Sequence, residues 1–240
     1  VCGNDSSAWT GPVSFTMPLT NDSTCFAEEL AVDGTLYTFN NSGATIDAGE
    51  NTITPPATGC AVQTGWCNSN LNSSVWYTFV APASGNVRVN CVGLTFDGQV
   101  AAYEVTDCAD FATYTLVGAN DDAPGGYNPP LMNLCGLTAG MTYYLMYDSF
   151  STTATGNYNI TVTDVAVEAG TDNGLTDICL ADTANLFDNI TGYDLGGTWY
   201  ENIPTANFND PMFVSAGLAS QVFGFDYVVV DGCATDSIST

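Results

Sequence analysis

Two polar turns hold the side chains best suited to chemistry. Asp97 lies in one of them, and Asn120, Asp121 and Asp122 lie in the other. Ca²⁺ prefers about six to eight hard oxygen ligands from carboxylates, amides and backbone carbonyls. If the two turns meet at one end of a β-sandwich, these four residues are predicted to bind Ca²⁺. Alternatively, the same Asp and Asn side chains cap the backbone of their own turns.

A second and weaker acidic set consists of Asp107 and Asp110, which are also separated by only a short stretch. The same two interpretations apply to this pair, a Ca²⁺ site or side chains that cap a turn. Glycoside hydrolysis would need two carboxylates at a defined separation, and no motif marks such a pair. The sequence therefore predicts that the chain is not an enzyme.

The charge composition excludes several kinds of function. The chain has 26 acidic residues, one Arg (Arg88), no Lys and no His, and its formal net charge is −25. Without His or Lys it can form no Ser-His-Asp triad, no His-ligated zinc site and no lysine Schiff base. Such a surface repels phosphate backbones and anionic lipid, so neither nucleic-acid binding nor membrane insertion is expected.

The nine cysteines indicate an oxidising, extracellular compartment, because they are dispersed along the chain without a CxxC pair. Cys60 and Cys67 are close enough to close a loop. The spacing predicts two further disulfides, Cys91–Cys108 and Cys179–Cys233. Cys2 and Cys25 are also expected in disulfides, and the partner of Cys135 is open. The odd total leaves one thiol unpaired or paired outside the chain.

Short alternating segments between turns predict an all-β fold of the sandwich or jelly-roll type. The central pair of segments, 75–80 and 86–90, is predicted to form a hairpin around the corner 81–85. In its first strand, Val75, Tyr77 and Phe79 should share one face. The other predicted strands of the first unit lie near residues 36–39, 99–105, 113–117, 131–134, 142–147 and 156–163.

Residues 164–168 read as a junction, which gives three segments. Residues 1–20 form an N-terminal strand or linker, residues 21–165 a first sandwich, and residues 166–240 a second sandwich whose last strand is expected to continue past Thr240. Strands of the second unit are predicted near 177–180, 197–201 and 221–230. A bridge between Cys179 and Cys233, with Trp199 between them in sequence, would match the core of an Ig-like sandwich.

Both units resemble modules of bacterial surface proteins exported by the type IX secretion system. The first is similar to pre-peptidase C-terminal (PPC) domains in the stretches 21–25, 75–85, 96–97, 120–122, 137–144 and 156–163. The second resembles the Ig-like repeats of gliding-associated adhesins at 169–172, 178–179, 185–187, 196–199 and 231–233. The resemblance implies tandem, disulfide-stapled β-sandwiches. It also implies O-glycosylation at Asp-Ser/Thr-apolar sites, here Thr183 and Ser237.

The resemblance implies a non-catalytic structural or adhesive module of a large cell-surface protein or filament. The alternative is a carbohydrate-binding accessory module of a secreted enzyme, with glycan contacts from Tyr103, Tyr127, Tyr143 and Tyr147. The preferred interpretation of those tyrosines is that they are packing residues, since strands select aromatic side chains. For either kind of module, the expected partner is a glycan or another surface ligand.

An alternating strand at Val13, Phe15 and Met17 precedes the first sandwich. A lone strand must find a sheet edge for its backbone groups. It pairs either with its own sandwich or with a neighbouring module, and the charge favours contact between modules end to end over lateral association.

Overall fold

The computed structural model describes residues 19–123, 129–152, 154–174 and 176–240, and these residues confirm the all-β prediction. The expected strand at Val13, Phe15 and Met17 lies outside the described residues, as do Cys2 and Tyr127. The only helical segments among the described residues are 3-10 turns of three or four residues, and none of them is an α-helix. None of their helical segments is long or apolar enough to cross a membrane.

Nine strands form the first unit: β1 (Glu28–Glu29), β2 (Tyr37–Asn40), β3 (Val75–Val80), β4 (Val87–Val92), β5 (Gly98–Val105), β6 (Tyr114–Asn120), β7 (Leu131–Leu134), β8 (Thr142–Ser149) and β9 (Asn157–Asp164). They make a five-stranded sheet in the order β1-β3-β8-β5-β6 and a four-stranded sheet in the order β2-β9-β4-β7. All pairings are antiparallel except that of β1 with β3. A register shift interrupts β5 against β6 after Ala102.

The predicted hairpin of the central segment is wrong, because β3 and β4 belong to different sheets. The corner at Pro82 and Gly85 carries the chain across the sandwich, and the Gly85 N–H donates to the Pro82 carbonyl at 3.1 Å. The side-chain alternation was nevertheless predicted correctly. Val75, Tyr77 and Phe79 lie in the core between the sheets, where they meet Val87 and Val89 from β4.

A second apolar cluster covers the outer face of the five-stranded sheet. Trp76 points to that side and packs with Tyr103 and the fully buried Trp66. The 3-10 turn Glu50–Ile53 closes this cluster, since the buried Glu50 carboxylate accepts a hydrogen bond from the Trp76 indole at 3.1 Å. Burial raises the pKa of Glu50 to about 7.

Eight short strands form the second unit: β10 (Thr171–Asp172), β11 (Thr183–Asn185), β12 (Ile190–Thr191), β13 (Thr198–Glu201), β14 (Phe208–Asn209), β15 (Met212–Val214), β16 (Phe225–Asp231) and β17 (Ala234–Ser239). They pair as β10-β12, β11-β15-β14 and β13-β16-β17. The strand predicted at residues 177–180 is a loop. The buried Trp199 packs at 5.0 Å from Tyr227 in a separate core, and not against the expected Cys179–Cys233 bridge, which does not form.

Three disulfides link the described cysteines: Cys25–Cys108, Cys60–Cys67 and Cys135–Cys233. The expected pair Cys91–Cys108 is wrong. Cys91 lies on β4 with its side chain buried in the core between the sheets, whereas Cys108 follows the far end of β5 and meets Cys25. Burial raises the pKa of the free Cys91 thiol.

The expected pair Cys179–Cys233 is also wrong. Cys233 follows β16 at its Asp231 end, and Cys179 lies beside Ser215, near the Phe225 end of that strand. The two ends of a seven-residue strand are separated by roughly 20 Å. Cys233 therefore bonds to Cys135 of the first unit, which settles the partner of Cys135, and Cys179 is an exposed free thiol. The boundary near residue 165 stays a prediction.

Candidate metal centre

The paired strands β5 and β6 bring the two acidic turns together. Val100 is opposite Asn120 in this antiparallel pair, so the start of β5 lies beside the end of β6. Asp97 immediately precedes β5, and Asp121 and Asp122 immediately follow β6. One carboxylate oxygen from each of these three Asp residues lies within 4.8 Å of the others. The convergence predicted for these turns is therefore present in the structure.

Asp121 is the buried centre of this acidic cluster, with only 1% of its surface exposed. Its Oδ2 accepts a hydrogen bond from the Cys67 N–H at 2.8 Å. Its Oδ1 is buried and has no hydrogen-bond partner among the described residues. A buried carboxylate oxygen without a partner costs free energy, because it has lost its water. A cation would satisfy this oxygen, so the donor set fits a hard metal ion.

The disulfide loop between Cys60 and Cys67 frames the acidic cluster. The Asp122 N–H donates to the Cys60 carbonyl at 2.9 Å, and the Cys67 N–H reaches Asp121 from the other end of the loop. The loop thus fixes both Asp residues against β6. This is the clamp that a polar loop of this length needs.

Desolvation and crowding of like charges make the cluster electrostatically unfavourable without a cation. Burial, with smaller contributions from the charges of Asp97, Asp122 and Asp148, raises the pKa of Asp121 to about 6. Burial also raises the pKa of Asp97, with a smaller contribution from Asp122. A divalent cation would reverse both effects by pairing with the carboxylates.

Asn120 does not join this cluster with a free oxygen. Its Oδ1 accepts from the Leu131 N–H at 2.8 Å, and its Nδ2 donates to the Val62 and Asp122 carbonyls. The residue instead holds the turn after β6 in place. Its amide serves three backbone groups, and its role as a metal ligand stays a prediction.

Sequence analysis missed two buried polar residues beside the cluster, Gln99 and Asp148. The β5–β8 register pairs Gln99 with Asp148, and the Gln99 Oε1 is buried without a partner among the described residues. Asp148 accepts hydrogen bonds from Ser73 N at 2.6 Å and from Gln99 Nε2 at 2.8 Å, and burial raises its pKa to about 6. A polar residue inside an otherwise apolar strand was the available signal.

Asp107 and Asp110, the second acidic set, belong to no acidic cluster of three or more groups among the described residues. The Asp107 Oδ1 accepts from the Ala109 N–H at 2.9 Å, and the Asp110 Oδ1 accepts from the Ala112 N–H at 3.0 Å. Each carboxylate thus caps its own turn, which was the alternative interpretation.

The tyrosines that were candidates for glycan contact are packing residues where the structure describes them. Tyr103, Tyr143 and Tyr147 are each at most 3% exposed and lie in the apolar clusters of the first unit. Their rings are therefore not available to stack on a sugar. Thr183 and Ser237, the predicted glycosylation residues, are both exposed, and their modification stays a prediction.

Comparison with solved structures finds a likeness to a domain of a bacterial enzyme. The pre-peptidase C-terminal domain of a collagenase from Bacillus anthracis matches with 15% sequence identity and a TM-score of 0.31. The match covers 57% of this chain and 94% of that domain. No protein-family model matches the sequence, and no curated protein matches it.

Proposed function

We propose that the chain is a non-catalytic structural module of an extracellular bacterial surface protein, in which two β units act as one stiff spacer. The Cys135–Cys233 disulfide carries this proposal, because it joins β7 of the first unit to the β16–β17 turn of the second. Disulfides are typical of proteins in oxidising compartments. The resemblance of the sequence to adhesin modules of the type IX secretion system supports a surface location.

The same joint contains the only cationic side chain of the protein. The Arg88 guanidinium makes a two-pronged contact with the Asp231 carboxylate, with Nη2–Oδ1 at 2.5 Å and Nη1–Oδ2 at 3.3 Å. Its Nε donates to Asn133 Oδ1 at 3.0 Å. An exposed ion pair alone contributes only about 0–1 kcal/mol. Here the ion pair adds a second, non-covalent contact between the two units beside their disulfide.

Stretching of single molecules between their two ends tests the spacer role. With Cys135–Cys233 intact, the residues between the two cysteines should not extend, although their separation in sequence is 98. The Cys135→Ser/Cys233→Ser variant should then gain roughly 320–350 Å of contour length at about 3.3–3.6 Å per residue. Equal extension of the two proteins would contradict the proposal.

We further propose that Asp97, Asp121 and Asp122 bind Ca²⁺ and thereby stabilise the first unit. The unpartnered Asp121 Oδ1 within a cluster of hard oxygens carries this part. A bound Ca²⁺ would supply positive charge and would coordinate the carboxylates. The three Asp residues would hold it between the start of β5 and the end of β6. At a free Ca²⁺ concentration of 100 times Kd, the free energy of unfolding should rise by about 2.7 kcal/mol.

Terbium luminescence offers a direct readout of this site. Trp66 precedes Cys67, whose N–H contacts Asp121, so the indole lies close enough to sensitise Tb³⁺ bound at the cluster. Addition of Ca²⁺ should displace Tb³⁺ and quench the signal. A Tb³⁺ signal that persists in Asp121→Asn would show that the ion binds elsewhere.

A further inference from the structure

The second unit contains a cavity of about 520 Å³ on the face of β11 and β15. Ala184 of β11 is opposite Phe213 of β15, and both line the cavity. Phe223 and Phe225 complete an aromatic floor, with the Phe213 ring centroid 5.0 and 5.1 Å from theirs. The volume lies within the range of sites that take a small molecule or a few side chains of a partner, roughly 300–1,000 Å³.

Two chain segments with free backbone groups border this cavity. Residues 219–222 line one side and make no hydrogen bond with any other described residue. Asp177, Ile178 and Leu180 line another side, and none of the three makes a hydrogen bond in the described part of the chain. Free N–H and C=O groups beside an apolar floor are what an added strand uses: the backbone pairs and alternate side chains fill the pocket.

The rim of the cavity combines exposed aliphatic side chains with Asp177, the one acidic side chain among the described lining residues. Leu180 and Val222 line the cavity and are 77% and 68% exposed, so they extend the apolar surface of the phenylalanine floor to its edge. Asp177 lines the cavity, and Thr240, another lining residue, donates to Asp172 at 2.6 Å. The single cation of the protein, Arg88, is bound at the joint with the first unit. No other Lys, Arg or His side chain exists in the sequence to pair with Asp177 at the rim.

We infer that this cavity binds an extended segment of a partner protein in which apolar residues alternate with Lys or Arg. Its apolar side chains lie against Phe213, Phe223 and Phe225, and its basic side chains face Asp177 at the rim. Its backbone pairs with residues 219–222. This inference is independent of the proposed Ca²⁺ site and of the disulfide joint, because neither shares a residue with the cavity.

The probe is a capped octapeptide of alternating lysine and valine, and its comparator has four valines followed by four lysines. The two peptides have the same charge and composition, so they differ only in the alternation that a strand requires. Calorimetry with the intact 240-residue chain should show binding that is at least about ten-fold tighter for the alternating peptide. Equal affinities would reduce the interaction to nonspecific charge attraction and overturn the inference.

Variants locate the binding. Ala184→Trp fills the cavity and should weaken the alternating peptide by about ten-fold or more, whereas Leu195→Trp, at an 84% exposed position away from the cavity, should change affinity by less than about two-fold. Ser220→Pro removes one of the free N–H groups without filling the cavity and should also weaken binding. Melting curves verify that each variant is folded. If Ala184→Trp does not fold, the affinity of the folded Ser220→Pro variant decides the test.

Two other results would also overturn the inference. Undiminished affinity in both folded variants would place the peptide elsewhere on the acidic surface. A concentration-dependent dimer that Ala184→Trp converts to monomer, seen by light scattering, would identify a second copy of this chain as the occupant.

Discussion

A single carboxylate, Asp121, is central to the proposed metal site. Asp121→Asn keeps the shape of the side chain and an oxygen for the Cys67 N–H, but removes the charge that Ca²⁺ requires. The variant should lose the Ca²⁺-dependent rise in melting temperature. Without Ca²⁺ it should be as stable as the parent at neutral pH or more stable, because the parent carries a buried charge there.

The matched control is Asp107→Asn, which changes an exposed Asp that caps its own turn. It should keep the full response to Ca²⁺. Scanning calorimetry with millimolar Ca²⁺ and with chelator measures both variants. An unchanged Ca²⁺ response in Asp121→Asn would remove the residue from the site.

The raised acid pKa values make stability depend on pH in a definite direction. Glu50 has a pKa of about 7 in the folded protein, and Asp121 and Asp148 have values of about 6. The unfolded chain releases these protons near pH 4, so between about pH 4 and pH 7 the folded state binds more protons. Its stability is therefore greatest below that range and falls as the pH rises through it.

In chelator, the urea midpoint should accordingly be lower at pH 7.5 than at pH 5. Ca²⁺ competes with protons at Asp121, so its stabilising effect should be larger at pH 7.5. A midpoint that rises from pH 5 to pH 7.5 in chelator would contradict the assignment of buried, proton-binding carboxylates.

The corner between β3 and β4 depends on glycine at one position. Gly85 has φ of +69°, and a Cβ there would lie 2.6 Å from the Leu137 carbonyl oxygen. Gly136 has the same φ of +69°, but a Cβ there would meet nothing within 4 Å. Both Ala substitutions incur the cost of a left-handed backbone, about 1 kcal/mol.

Gly85→Ala must additionally displace the Leu137 backbone, so it should destabilise the protein by at least about 1 kcal/mol more than Gly136→Ala. Urea unfolding of the two variants measures this difference directly. Equal losses would mean that the corner relaxes around the extra methyl group.

The local sequence pattern predicted the positions of several strands of the first unit, but it could not predict which strands pair with each other. Alternation predicted the bounds of β4, β8 and β9 to within one or two residues, because every second residue of a half-buried strand is apolar. Whether β3 pairs with β4 depends instead on which sheet each strand joins. Residues distant in sequence decide that, so the expected hairpin failed.

The candidate site shows the same division. The acidic turns could be found from composition alone, and the convergence of Asp97 with Asp121 agrees with the expectation. Gln99 and Asp148 could not be associated with them before the β5–β6 and β5–β8 registers were known. The disulfides Cys25–Cys108 and Cys135–Cys233 each join cysteines more than 80 residues apart, and spacing carries no signal over such separations.

At the scale of the whole molecule, the joint should couple the unfolding of two otherwise separate cores. A loop of about 100 residues closed by a disulfide stabilises by roughly 4–5 kcal/mol in the chain-entropy model. The Cys135→Ser/Cys233→Ser variant should therefore melt at a lower temperature, in two resolved transitions. The transition of the first unit should still respond to Ca²⁺.

The control for this variant is Cys60→Ser/Cys67→Ser, which opens a loop within the first unit and leaves the joint intact. It should keep the coupling between the units and weaken the response to Ca²⁺, because the loop holds Asp121 and Asp122. A single transition in the Cys135/Cys233 variant would show that the two cores are coupled through other contacts.

The single arginine also determines where trypsin-like proteases can cleave the chain. Trypsin cleaves after Lys or Arg, so the sequence offers it one peptide bond, between Arg88 and Val89. That bond lies within β4, which is flanked by β9 and β7 in the four-stranded sheet. The enzyme must wait until this sheet opens, and even a cut chain stays linked through Cys25–Cys108. The folded chain therefore offers trypsin-like proteases a single cleavage site, which becomes accessible only when the sheet opens.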